Sequence, residues 1–184
     1  MQPRKLDPKD ECPTDNLIYS YFVQPYTATF HEVLHLTPNG ITTIAFALQL
    51  VALWMLVKGH GRVAGALWLL GYMFDCMDGY MARTYKLTSK FGDLYDHATD
   101  LITLLRLLCI LAYNRHFAHM LLVIIAGILA TWQMGCQESM YAGTESTSLQ
   151  PLKGLACACP DGLRWFGVGT ANVVIAAILF SMQK

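Results

Sequence analysis

Residues Ile41 to Val57 read ITTIAFALQLVALWMLV, 17 consecutive positions without a charge. As a helix this run is about 26 Å long at 1.5 Å per residue, close to the ~30 Å hydrocarbon core that a helix of ~20 apolar residues spans. It opens behind Thr37-Pro38-Asn39-Gly40, where Pro38 disfavours helix at Thr37. It closes at the short connection Lys58-Gly59-His60-Gly61-Arg62. The pattern recurs outward from there. Val63 to Phe74 is apolar, and its helix continues through Asp75 and Asp78. A third helix runs from about Phe91 to Tyr113, acidic at its start and apolar after Leu101. Asn114-Arg115-His116 is a turn, Met120 to Met134 belongs to a fourth span, and Trp165 to Met182 is uncharged for 18 residues. Open sheets leave backbone groups unpaired in lipid, so the spans are helical. The fold class expected is all-α: a polytopic membrane helical bundle of five to six transmembrane helices. A soluble all-α bundle also has apolar core helices, but it has no need of repeated uncharged runs of this length.

Around these runs the chain divides into three parts. Residues 1–15 are polar, contain proline and lack an apolar h-region, which reads as a mobile tail rather than a signal peptide. In 16–36, Leu17, Ile18, Tyr21, Phe22, Tyr26, Phe30, Val33 and Leu34 recur at near-helical spacing, and Pro25 kinks or divides the helix. Aromatics beside polar residues suit an amphipathic segment lying in the membrane interface, or an amphipathic helix packed on protein. Residues 37–184 form the membrane-embedded domain. Within it, Glu138 to Arg164 is a long polar stretch without a clear period, and Ser146 to Cys159 either re-enters the membrane or leaves the bundle one span short of six. Gly167-Val168-Gly169 permits close approach of another helix. Arg83, Lys86 and Lys90 outnumber the two basic residues of the Lys58–Arg62 connection, which places the Arg83 loop and the N-terminus on the cytoplasmic side. The expected location is an integral, multi-pass position in a membrane: an endomembrane in a eukaryote, the plasma membrane in a bacterium.

The chain is 54% apolar and 14% charged, with 13 basic and 13 acidic residues. Neutrality and low charge exclude a disordered polyelectrolyte and argue against a nucleic-acid partner, which needs a positive field. The acids are nonetheless unevenly placed. None lies between Val33 and Phe74 or between Leu101 and Gln137, while five fall between Asp75 and Asp100. Asp75 and Asp78 are spaced i, i+3, and Asp96 and Asp100 i, i+4, so each pair shares a helix face. A short connection makes the two helices antiparallel neighbours, and four carboxylates converge. Like charges in a membrane pocket repel. Oxygen-only ligands select hard divalent cations such as Mg²⁺ or Mn²⁺ rather than Zn²⁺. Gly79 and Gly92 let a ligand or a facing helix approach the backbone, and Arg83 offers a fork for phosphate oxygens. Together they point to a phosphate ester substrate.

The full pattern is D-x2-D-G-x2-A-R-x8-G-x3-D-x3-D, carried by Asp75, Asp78, Gly79, Ala82, Arg83, Gly92, Asp96 and Asp100. It resembles the signature of the CDP-alcohol phosphotransferase (phosphatidyltransferase) superfamily at every fixed position. The Thr37–Thr42 run resembles the opening of that family's first span. The resemblance implies a dimeric integral membrane enzyme, usually of six helices, that moves a phospho-group from a CDP-alcohol to an acceptor hydroxyl and releases CMP. It implies Asp75, Asp78, Asp96 and Asp100 as the metal site, holding two Mg²⁺ or Mn²⁺ ions, with Asp100 as the catalytic base. It also implies Asn39, Gly79, Ala82, Arg83 and Gly92 as the nucleotide site. The partners implied are a CDP-alcohol, the bilayer with its lipid substrate or product, and a second copy of the chain.

The run Gly92-Asp93-Leu94-Tyr95-Asp96-His97 and the run Tyr21–Pro25 resemble the choline and ethanolamine phosphotransferase branch. That leans the reading towards CDP-choline or CDP-ethanolamine with diacylglycerol, and makes His97 a second candidate base, since histidine titrates near neutrality. Chain length instead resembles the branches in which CDP-diacylglycerol donates to inositol or glycerol phosphate. A non-catalytic metal or nucleotide binder is the alternative of another class, and a prenyl-transferring enzyme would leave the matches at Gly79, Ala82, Arg83 and Gly92 without a reason. The six cysteines show no paired zinc spacing and read as buried or lipid-facing thiols. Lys153 and Arg164 read as solvated loop charges or as contacts to substrate phosphates.

Overall fold

The computed structural model describes residues 11–140 and 159–183. The chain enters as a continuous helical path: α1 (Pro13–Ile18), a wide π turn (Tyr19–Val23), α2 (Gln24–Ala28) and a second wide turn (Thr29–Val33). Pro25 explains the first irregularity. Its ring lacks an N–H and crowds the carbonyl four residues earlier, and a widened turn just before it makes room. Then follow α3 (Pro38–Val57), α4 (Gly61–Thr84), α5 (Lys90–Tyr113), α6 (Phe117–Met140), a 3₁₀ turn (Asp161–Phe166) and α7 (Val168–Ser181). Among the described residues there is no strand.

Local signals set the ends. Thr37 is extended and its hydroxyl accepts the Gly40 N–H at 3.2 Å, with Pro38 at the first helical position. Ser89 caps α5 in the same way, accepting the Gly92 N–H at 3.0 Å. Left-handed residues at His35, Gly59, Lys86 and Arg115 turn the chain after successive helices. Because consecutive helices reverse, the starts of α3, α5 and α7 and the ends of α4 and α6 gather on one side.

The main core joins α3, α4, α5, α6 and α7 through Leu53, Leu56, Trp68, Leu107, Leu111, Val123, Ile175 and Leu179. The buried Trp68 indole N–H donates to Asn172 Oδ1 at 2.9 Å, so its one polar atom is satisfied. Among the described residues three segments are long and apolar enough to cross a membrane: Pro38–Val57, Phe117–Met140 and Gly162–Ser181. Helices α4 and α5 match them in length but carry the acids. The exposed Trp54, Leu101, Leu105, Leu121, Ile125 and Ile128 form the outward apolar surface that a bundle in lipid requires. The result is an all-α membrane bundle.

The N-terminal segment packs on protein along one face and is exposed along the other. Its inner face packs on α4, where Phe22 and Phe30 meet Phe74 edge-on with ring centroids 5.6 and 5.4 Å apart. Its outer face leaves Leu17, Tyr21, Tyr26, Val33 and Leu34 exposed. The expected tail, by contrast, ends early. Residues 1–10 lie outside the described residues, and Glu11 and Cys12 are buried. The close approach expected at Gly167 and Gly169 is made by this segment. A Cβ on Gly167 would sit 2.7 Å from Cys12 Cβ, and one on Gly169 would collide with the Asp15 carboxylate.

Asp15 joins three elements. Its carboxylate accepts from the Tyr72 hydroxyl of α4 and from the Gly169 N–H that opens α7. Burial pushes its pKa up from 3.8 to about 6, only partly opposed by these two donors. A raised carboxyl pKa means that the folded protein holds the proton more tightly than the unfolded chain. Ionised Asp15 therefore costs stability above pH ~6, by about 3 kcal/mol at most, and that cost is absent below pH ~4. Asp15→Asn keeps the acceptor without the charge. Its melting temperature in detergent is expected to gain on the wild type between pH 4.5 and pH 7, and an unchanged difference would disprove the assignment.

Cys136 at the end of α6 and Cys159 form a disulfide, with Cα atoms 5.8 Å apart, where free thiols were expected. Cys12, Cys76 and Cys109 are free, and Cys157 lies outside the described residues. A bridge across 23 residues of aperiodic sequence has no spacing signal. The possible re-entrant segment and Lys153 lie outside the described residues as well, Cys159 itself excepted.

Candidate active site

Helix α3 packs along both α4 and α5. The acids of α4 and α5 meet in the space between those two helices rather than along a direct seam, as the short connection had suggested. One carboxylate oxygen from each of Asp75, Asp78 and Asp96 lies within 4.8 Å of the others. Asp100 is not a member of this trio. It sits one turn further along α5, exposed, within the electrostatic influence of Asp75 and Asp96.

Asp78 is the most enclosed, at 6% exposure, and its Oδ2 accepts the Thr42 hydroxyl of α3 at 2.5 Å. Asp96 Oδ1 is buried without a hydrogen-bond partner. Converging acids and an unsatisfied carboxylate oxygen are what an oxygen-ligated divalent cation would resolve. The donor set fits Mg²⁺ or Mn²⁺ and contains no thiolate or imidazole that would favour zinc.

Beside the trio lies a cavity of about 240 Å³. Its wall holds Asn39, Gly79, Ala82, Arg83, Gly92 and His97 together with Asp78 and Asp96. Each residue assigned to the nucleotide site from sequence is therefore on one wall. The two glycines have different reasons. A Cβ on Gly92 would lie 2.9 Å from Asn39 Oδ1 and 3.1 Å from Ser89 Oγ, so bare backbone lets the starts of α3 and α5 close on each other. A Cβ on Gly79 would lie 3.2 Å from Arg83 Nη1, because the guanidinium folds back over that turn. Arg83 Nη2 also donates to the Tyr19 hydroxyl at 3.4 Å, so the N-terminal segment touches the cation of the site.

His97 is oriented by its own helix. Its Nδ1 lies 2.6 Å from the Asp93 carbonyl oxygen. A carbonyl only accepts, so Nδ1 is the donor in this contact. Asp93 and Asp96 carboxylate oxygens stand 3.8 and 3.9 Å from the same nitrogen.

Three participants were not read from sequence: Thr42, Tyr19 and Ser89. Thr42 stands three residues after Asn39 in a run already singled out, yet nothing in its spacing announces a partner 36 positions away. Arg164 does not line the cavity; its guanidinium lies over the Trp165 ring at 5.6 Å.

Comparison with known proteins agrees with the geometry. Over 67 residues the chain is 34% identical to the archaetidylinositol phosphate synthase of Pyrococcus horikoshii, covering 36% of each protein. Over 121 residues it is 27% identical to the CDP-diacylglycerol–inositol 3-phosphatidyltransferase of Drosophila melanogaster, covering 65% of this chain and 53% of that one. Over 62 residues it is 36% identical to the CDP-diacylglycerol–glycerol-3-phosphate 3-phosphatidyltransferase of Mycoplasma genitalium, covering 34% of this chain and 26% of that one. The matches thus span from about a quarter to about half of the relatives' lengths. No solved structure matches. The family model for CDP-alcohol phosphatidyltransferases matches residues 35–182, from the turn before α3 to the end of α7. A match of that extent, over a bundle in which Asp78, Asp96, Gly79, Gly92 and Arg83 line one cavity, places the chain in the CDP-alcohol phosphatidyltransferase family.

Proposed function

We propose that this protein transfers a phosphatidyl group from CDP-diacylglycerol to a hydroxyl of a small polar alcohol of the inositol or glycerol phosphate class, releasing CMP. The observation that carries the reading is the trio Asp75, Asp78 and Asp96 beside the cavity of Asn39, Arg83 and Gly92. The choice of donor rests on the relatives, which are named for inositol or glycerol phosphate products. They displace the lean towards CDP-choline or CDP-ethanolamine drawn from the Gly92–His97 run.

Asp75, Asp78 and Asp96 would hold a divalent cation, with Asp100 at the edge of the site. When bound, that cation offsets the charge of a diphosphate and of the leaving phosphate. Arg83 presents a fork to phosphate oxygens, and Tyr19 limits its motion. Bare backbone at Gly92 lets the starts of α3 and α5 approach closely, so that Asn39 lines the cavity a nucleotide would enter. The acceptor oxygen forms a bond to the lipid-bearing phosphorus, the bond from that phosphorus to the bridging oxygen breaks, and CMP leaves with the electron pair. The hydroxyl proton passes to a base, Asp100 or His97 Nε2. We place α3 to α7 across the bilayer, with the N-terminal segment in the interface on the side of the cavity. The apolar groove between α5 and α6, lined by Leu104, Leu108, Ile124 and Ile128, suits the homodimer expected of the family.

The test is a panel of donors and acceptors with purified protein in liposomes, the lipid product identified by mass. Product from CDP-diacylglycerol with inositol, inositol phosphate or glycerol phosphate is expected. Product from CDP-choline or CDP-ethanolamine with diacylglycerol alone would overturn the donor assignment.

A further inference from the structure

We propose that Thr42 is a positioning residue for Asp78: its hydroxyl fixes the orientation of that carboxylate for cation binding. The inference rests on the metal reading of the site given above. Thr42 is 3% exposed and Asp78 6%, and the hydroxyl reaches across from α3 to Oδ2 on α4 at 2.5 Å. The protein contains its own controls. Thr43, Thr84, Thr103 and Thr131 also lie on helices, and each donates its hydroxyl to the carbonyl four residues back at 2.8 Å. For Thr42 the same contact, to the Pro38 carbonyl, is stretched to 3.2 Å. One hydroxyl proton cannot serve two acceptors well, and the distances assign it to Asp78.

The consequence follows from what a metal-binding carboxylate needs. Partners that hydrogen-bond a ligand set its rotamer and plane, and removing one typically costs ~10–100-fold in metal affinity. The helix spacing of Asp75 and Asp78 sets where their Cβ atoms lie but not how the Asp78 carboxylate is turned. Beside the Gly79 N–H of its own helix, the side-chain partner of that carboxylate is Thr42 on α3, the helix that also brings Asn39 to the cavity. Thr42→Val keeps the β-branched shape and removes the donor. Thr42→Ser keeps the donor and removes a methyl group.

The experiment measures binding of Mn²⁺ alone to the full-length protein in detergent, by the loss of the free-ion electron paramagnetic resonance signal. The wild type is expected to bind. Thr42→Val is expected to bind at least about 10-fold more weakly, with Thr42→Ser in the wild-type range. In turnover, Thr42→Val should require more Mg²⁺ for half-maximal rate and recover rate at saturating Mg²⁺. Equal binding by wild type and Thr42→Val would overturn the proposal, as would a Thr42→Ser variant as weak as Thr42→Val. If Thr42→Val does not run as a single species on size exclusion, Thr42→Ala carries the same comparison. A wild type that binds no Mn²⁺ would overturn the metal reading and this proposal with it. A wild type that binds beside an unaffected Thr42→Val overturns this proposal alone.

Discussion

Asp78→Asn and Asp96→Asn are each expected to bring CMP release from CDP-diacylglycerol to background. Either change keeps the size of the side chain and removes one negative charge from a trio held within 4.8 Å. A transferring phosphate develops charge, and oriented groups that stabilise this charge act most strongly where burial lowers the local dielectric, as it does at Asp78. Removing a single oriented stabilising group from such a site commonly costs ~10²–10³-fold, and loss of a direct cation ligand should cost at least that. The fold should survive, because each substitution lessens repulsion among the remaining acids. The melting temperature in detergent separates the two effects. An inactive variant that melts no lower than the wild type supports the assignment, whereas full activity in either variant would exclude that residue from the cation site.

Removing divalent cations should have an effect as large. With excess chelator, CMP release is expected to fall to background and to return on addition of Mg²⁺ or Mn²⁺. The physical reason is the buried Asp96 oxygen without a hydrogen-bond partner, in a site where acids face acids. A cation that binds only the folded protein also stabilises it, by about 2.7 kcal/mol when present at 100 times its dissociation constant. Chelation should therefore lower the melting temperature of the wild type and leave that of Asp96→Asn nearly unmoved. Undiminished turnover in chelator would contradict a cation-dependent reaction.

Much of this was legible in residue spacing. The uncharged run Ile41–Val57 became α3 with only Pro38 to Gly40 added at its start, and the span expected from Phe91 to Tyr113 became α5. Such elements are read well because a membrane demands long apolar runs and proline or polar turns interrupt them. The run from Trp165 is less regular: Gly167 is extended and α7 begins only at Val168. Asp75, Asp78 and Asp96 came within 4.8 Å of one another and Asp100 did not join them, because i, i+3 and i, i+4 spacing decides a helix face before any tertiary contact forms but not what that face meets. Spacing did not disclose which partner a face meets. The packing of α3 along both acidic helices, the Thr42–Asp78 bond and the docking of Asp15 on Tyr72 and Gly169 were among the pairings that spacing left open, the last three reaching across 36 to 154 positions. Periodicity marks a buried side, and only packing names its neighbour.

The most direct measurement is CMP and phospholipid formed together by the purified protein, supplied with Mg²⁺, CDP-diacylglycerol and either inositol, inositol phosphate or glycerol phosphate. Equimolar appearance of CMP and one new phospholipid, absent in Asp96→Asn, is the expected result. Binding of CDP and Mn²⁺ without CMP from any CDP-alcohol would instead identify a binder that retains the pocket without the reaction.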